Sequence, residues 1–160
     1  MTSGSVKTLV LIRHAHRDKV LGRAFDNGLS LKGFKQAKVL GKFFKSRFSA
    51  RKPVLFSSPK KRCYETLFSI SKKSGSEIKM LACLDEGGDL DAKIAEFFTT
   101  FSELKENLIV ICSHGDWIPE FIRSQLGFQV ELSKAGWIEL IESRSKFEVS
   151  WIVQKPDQLN

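Results

Sequence analysis

Cysteine and histidine are scarce in this chain of 160 residues, with three of each. The cysteines, Cys63, Cys83 and Cys112, form neither a CxxC pair nor a Cys/His metal-binding spacing. Their odd number does not suit a secreted fold stapled by disulfides, which points to a reducing cytoplasm. Long hydrophobic runs are missing too. The N-terminal MTSGSVKTLVLIRH offers only about six apolar residues in a row, too few for a signal peptide or a membrane span, so no targeting and no membrane association are expected. No repeat, linker or low-complexity segment interrupts the chain, and its length and 42% hydrophobic content suit one domain over residues 1–160.

Acidic residues are nearly absent from the first half. Through Lys73 there are 18 Lys and Arg against 3 acids, and beyond it 8 against 15, so a half of charge +15 precedes one of −7 within a net charge of +8. Such a split raises the question of a polyanionic partner. Part of it has a plainer origin. On the helix inferred from Ser30 to about Arg51, Lys32, Lys35, Lys38, Lys42 and Lys45 lie along one arc, opposite Phe34, Ala37, Leu40, Phe44 and Phe48, as on a solvated helix face. The basic residues are not interleaved with aromatics and carry no nucleic-acid-binding motif, so no nucleic acid is expected as partner.

What the chain does have is an alternation of apolar runs and amphipathic stretches. Lys7 to Ile12 reads as a buried strand, and Ser30 as the N-cap of the first helix, which ends before Pro53. Val54-Leu55-Phe56 forms a second strand. Ser58 as N-cap and Pro59 at the first position open a helix running to about Lys73. A weak strand follows around Ile78 to Leu81, then a polar loop from Asp85 to Asp91, a helix over Ala92 to Leu104, a strand over Leu108 to Cys112 and a helix over Trp117 to Leu126. Gly136 to Ile141 and Phe147 to Val153 alternate as a hairpin or two edge strands. The order predicts a three-layer α/β/α sandwich with a mostly parallel central sheet.

The histidines sit where such a fold gathers its chemistry. LVLIRHAHR ends a strand on Arg13-His14, and LIVICSHGD ends another on His114. Side chains at the carboxyl edge of parallel strands face a common crevice, so the two histidines point to one shared site. Arg13 offers a planar fork for phosphate oxygens, and a neutral imidazole beside it can attack phosphorus. Arg62, in LFSSPKKRCYETL, lies one turn into a helix whose N-terminus already favours an anion. His114 supplies a donor for charge developing in a transition state. Taken singly, each has a structural explanation as a cap, an ion pair or a turn. Their joint appearance at three successive element junctions favours a phosphoryl site. Cys63 and Cys112 read as packing residues and Cys83 as an exposed one. Trp117, Trp137 and Trp151 are core material or the wall of a cleft mouth.

Four segments, in order, resemble the motifs of the histidine phosphatase superfamily, the phosphoglycerate-mutase-like group. LIRHAHR is similar to its RHG or RHA segment, LSLKGFKQAKVLGKFF to its L(S/T)xxGxxQA stretch, SSPKKRCYETL to its SSPxxRxxxT segment and VICSHGDWI to its second histidine motif. Together they span Leu9 to Ile118. The resemblance implies a phosphoglycerate-mutase-like fold, His14 as the nucleophile that becomes phosphohistidine, and Arg13, Arg62 and His114 around the phosphoryl group. It implies no cofactor and no required metal. Arg17 falls where the group has a further phosphate or substrate contact, though it can equally pair with Asp18 or Asp26. His16 departs from the usual pattern as a substrate contact or a loop histidine.

The general acid is left open by the same comparison. CLDEGGDLD offers Asp85, Glu86 and Asp89: Glu86 fits the LxE pattern of the mutase branch, whereas the LxPxGD pattern of the small phosphohistidine phosphatases aligns with Asp89, and Asp116 is a further candidate. All of these acids can instead cap a helix. The size of the chain leaves little room for the insertions that enclose a bisphosphorylated intermediate in mutases. The resemblance therefore implies a phosphoric monoester hydrolase acting on a phosphomonoester or phosphoramidate, whether a phosphoprotein or a small metabolite. A phosphate-binding module of the same fold that does not catalyse stays open as the alternative.

Overall fold

A computed structural model describes residues 4–156. Six strands form one sheet: β1 (Lys7–Arg13), β2 (Val54–Ser57), β3 (Ile78–Met80), β4 (Leu108–Ser113), β5 (Trp137–Ser143) and β6 (Lys146–Val153). Their spatial order is β3-β2-β4-β1-β5-β6. The first four run parallel, and β5 and β6 are antiparallel additions at one edge. β1 and β4 are buried on both faces, which is why their sequences run almost continuously apolar instead of alternating.

Helices cover both faces. Val10 and Ile12 face one apolar layer, formed with α1 (Leu31–Phe48), α2 (Lys61–Thr66) and α3 (Phe68–Ser74). Leu9 and Leu11 face the other, formed with α4 (Leu90–Glu103) and α5 (Trp117–Leu126). The three-layer α/β/α sandwich is as expected. Among the described residues no helix is long and apolar enough to cross a membrane.

α1 starts where the sequence places it, with the Ser30 hydroxyl accepting from the Gly33 amide at 3.1 Å. Its lysine arc is solvent-exposed, but Phe34 is exposed as well and does not belong to the buried face. The helix expected from Ser58 to Lys73 differs more. The Ser58 amide donates to the Cys112 carbonyl at 3.0 Å and prolongs the sheet, so α2 begins only at Lys61. A tightened turn at Leu67, whose amide reaches back three residues to Tyr64, separates α2 from α3. α4 begins two residues before Ala92 because Asp89 caps it.

Other readings are corrected by burial. Cys83, read as exposed, is buried in the second apolar layer, and burial pushes its thiol pKa up. Trp117 and Trp137 are fully buried core residues; the Trp117 indole donates to the Cys83 carbonyl at 2.7 Å. The C-terminal segments form the expected hairpin, joined through Arg144 and Ser145, both in the left-handed region.

Candidate active site

Strand register assembles the site. Arg13 pairs with Ser113 and Ser57 with Cys112, so the residues that follow, His14, His114 and Ser58, leave the sheet side by side at its carboxyl edge. The His14 and His114 rings lie 5.4 Å apart, edge to face. Both are buried, at 6% and 1% exposure, and Arg62 joins them at 2%.

The hydrogen bonds define the chemical state of His14. Its Nδ1 lies 2.8 Å from the Ala15 carbonyl oxygen, which can only accept, so Nδ1 carries the proton. Arg62 Nε donates to His14 Nε2 at 3.3 Å, and that nitrogen therefore keeps its lone pair. Burial pushes the His14 pKa down from 6.5 to about 3; the Ala15 hydrogen bond opposes this, and the charges of Arg62, His114 and Arg13 add to it. His14 is a neutral imidazole with its unprotonated nitrogen aimed at a guanidinium.

Arg62 is the hub. Its Nη2 reaches His114 Nδ1 at 3.3 Å and forms a close ion pair with Glu86 Oε1, while Nη1 lies 4.0 Å from Asp26. The Ser58 hydroxyl is 2.8 Å from His114 Nε2, and Asp85 lies 3.5 Å from that hydroxyl and 3.6 Å from the same ring nitrogen. Thr66 ties the α2 backbone to the loop after β1, accepting from the Ala15 amide at 3.0 Å and donating to the Arg62 carbonyl at 2.6 Å. Ser58, Asp26 and Thr66 were not read as site residues from the sequence, whereas Asp85 was among the acids offered by CLDEGGDLD. For Ser58 a signal was present, since the second serine of SSP ends β2 beside β4. Asp26 lay on a loop with no periodicity to place it.

Besides Asp85, three acids were candidates, and the geometry separates them. The Asp89 carboxylate accepts from the Ala92 amide at 3.0 Å, and that of Asp116 accepts from the Trp117 and Gly87 amides at 2.7 and 2.8 Å. Both are committed to helix caps or loop bonds. Glu86, 44% exposed, has its carboxylate between Arg62 and His114, with Oε2 3.6 Å from His114 Nδ1.

Arg13 borders this group without a direct hydrogen bond to it. Its Nη1 donates to the Leu132 carbonyl at 2.7 Å, and its Nε is buried without a partner among the described residues. The guanidinium lies so close to Gly115 that a Cβ there would come within 2.8 Å of it, which accounts for the glycine after His114. Arg17 is not in the cluster, nor does it pair with Asp18 or Asp26. It donates to the Phe25 and Arg23 carbonyls at 3.0 and 3.3 Å and holds the loop between β1 and α1. His16 lies in the loop after β1, where its Nδ1 is 2.7 Å from the Ser30 hydroxyl that caps α1. Among the described residues no three His, Cys, Asp or Glu side chains gather as a metal-binding group.

A buried neutral histidine facing an arginine and a second histidine, at the carboxyl edge of a parallel sheet, defines a site for phosphoryl chemistry. The family model of the histidine phosphatase superfamily (branch 1) matches residues 9–95, more than half of the chain, and the chain belongs to that superfamily. Solved structures agree in fold. The protein histidine phosphatase SixA, solved with tungstate, superposes with a TM-score of 0.79 at 17% identity, over 96% of this chain and 99% of that one. Phosphoserine phosphatase from Entamoeba histolytica, solved with phosphoserine, gives 0.73 at 19% identity, over 96% and 100%. Mycobacterial glucosyl-3-phosphoglycerate phosphatase gives 0.74 at 18%, over 94% and 99%. No curated protein matches the chain.

Proposed function

We propose that this chain is a metal-independent phosphatase that hydrolyses a phosphomonoester or phosphoramidate through a phosphohistidine on His14. One observation carries the reading: the unprotonated Nε2 of buried His14 faces Arg62 Nε at 3.3 Å, with His114 Nδ1 at 3.3 Å from Nη2 of the same guanidinium. The phosphoryl oxygens enter between Arg62, Arg13 and His114 and displace Glu86 from Arg62. The two arginines supply the positive charge that a metal ion supplies in other phosphatases.

In the first displacement the Nε2 lone pair forms a P–N bond while the bond from phosphorus to the leaving group breaks, and Glu86, freed from Arg62 and protonated by the incoming phosphate monoanion, passes that proton to the departing atom. The imidazole becomes positively charged, and its Nδ1–H bond to the Ala15 carbonyl strengthens as it does so. In the second, water gives a proton back to Glu86 and its oxygen attacks phosphorus. The P–N bond breaks, inorganic phosphate leaves, and His14 is neutral again. An imidazole leaving group needs less help from the acid than an alkoxide, so a phosphohistidine side chain of a protein is among the substrates this chemistry admits.

The test is turnover of a chromogenic aryl phosphate in the presence of chelator. Expected are hydrolysis by the wild type, none by His14→Ala, and an acid-labile phosphoryl group trapped on the protein in rapid quench. Turnover that survives in His14→Ala refutes the reading. Phosphate binding without turnover replaces it with that of a binding module.

A further inference from the structure

Beside the phosphoryl site lies a cavity of about 600 Å³ that shares Arg13 with it and otherwise lies outside the groups that act at His14. Its walls include Arg13, His16, Lys32, Gln36, Lys134 and Lys155, with Glu131 as the acid among its lining residues. Arg13 lines the cavity and also borders the phosphoryl site, its guanidinium packed against Gly115 beside His114, so the two adjoin through this residue. Among the described residues Arg13, Arg17, Lys32 and Lys134 have no acidic partner.

The positive charge is crowded. Burial lowers the Lys134 pKa, and the charges of Lys19, Arg13, Arg17 and Arg23 lower it further. The His16 pKa is lowered by burial and then by Lys134, Lys32 and Lys19. Two buried guanidinium nitrogens, Nε of Arg13 and of Arg17, are without partners among the described residues. Cations forced together in this way repel one another until an anion enters.

The segment that carries Lys134 is held rigidly. Gln154 clamps it from β6's end, accepting from the Ser133 amide at 2.7 Å and donating to the Glu131 carbonyl at 2.8 Å. The next residue, Ala135, is held in the left-handed region at φ 60°, a conformation that costs an L residue energy, by amide bonds to the carbonyls of Arg13 at 3.0 Å and His14 at 3.3 Å. The backbone that places Lys134 is thus bonded directly to the nucleophile's own segment.

We infer that this cavity is a second anion subsite, built by Lys32, Lys134 and Arg13 beside the phosphoryl site, and that the substrate is a small molecule bearing a second phosphate besides the one transferred to His14. The inference rests on the proposed phosphatase reading and deepens it. A cavity of this volume has the size of a small-molecule site, which favours a compact metabolite over an extended acidic peptide.

The test compares kcat/KM for alkanediol monophosphates with that for the corresponding α,ω-bisphosphates, over spacers of two to six carbons, at fixed ionic strength. At least one bisphosphate is expected to exceed its monophosphate by tenfold or more. The preference is expected to fall to within about twofold in Lys32→Gln/Lys134→Gln, and to persist in Lys35→Gln/Lys45→Gln, which removes the same charge from the exposed arc of α1. No preference at any length, or one that survives in Lys32→Gln/Lys134→Gln, overturns the subsite. So does an effect of that double variant confined to acidic phosphopeptides. If the wild type turns over no phosphate ester at all, the phosphatase reading fails. Calorimetric Kd values for the same pairs then decide the subsite by the same tenfold criterion.

Discussion

Replacing His14 by Asn should make the protein less sensitive to acid. The His14 pKa is held at about 3, mainly by burial, against 6.5 for the exposed group. Between those values the unfolded chain binds a proton that the folded chain does not, so stability falls as pH falls from 6.5 towards 3, and the contribution is flat above 6.5. Going from pH 6.5 to pH 4.5 withdraws about 2 kcal/mol from the wild type through this one group. Asn has no proton to take up. Urea unfolding of both proteins at the two pH values isolates the effect, since any change common to both proteins cancels. The wild type should lose about 2 kcal/mol more than His14→Asn, or about 1 M more in urea midpoint. Equal losses in the two proteins would refute the assignment of a buried, neutral His14, and with it the nucleophile's protonation state.

Arg62→Ala removes the guanidinium that bonds His14, His114 and Glu86; a loss of about 10²- to 10³-fold in kcat/KM on the aryl phosphate is expected in steady-state kinetics, and a loss under about fivefold would contradict its role as hub. Ser58→Ala deletes the hydroxyl 2.8 Å from His114 Nε2, which should lower kcat/KM about tenfold and alter its pH profile while urea stability changes by only about 1 kcal/mol. Gly33→Ala puts a Cβ 2.0 Å from the His16 carbonyl oxygen, a backbone atom that cannot step aside, so thermal or urea unfolding should register a destabilisation of about 2 kcal/mol or more. Arg47→Ala leaves Glu139, 3% exposed and paired to Arg47 at 2.8 Å, without its cation, for an expected cost of about 1–3 kcal/mol by urea unfolding at neutral pH.

The layered α/β architecture, the parallel order of the first four strands and the placing of His14 and His114 at strand ends were legible in the amino-acid sequence. Apolar runs such as Leu9–Ile12 and Leu108–Cys112 cannot be buried on both faces except in a covered parallel sheet, and their abrupt polar ends mark its edge. Ser30 could be read as a cap because capping is local, settled by a hydroxyl and an amide three residues apart. Ser58 was misread for the complementary reason. Its neighbours suit a helix start, but β4 claims its amide and His114 its hydroxyl, 54 and 56 positions away.

Where each acid points was likewise decided by tertiary structure. Glu86, Asp89 and Asp116 are equal as carboxylates, and only the folded loop aims the first at Arg62 while turning the other two to backbone amides. The basic half of the chain gave a charge without an address. Packing of the loop before β5 against the end of β1 brings Lys134 to Lys32 and Arg13. The residue types and their local periodicity are written in the chain. Which charges and donors meet depends on strand register and loop closure, because electrostatic and hydrogen-bond energies depend on distance in space and not along the sequence.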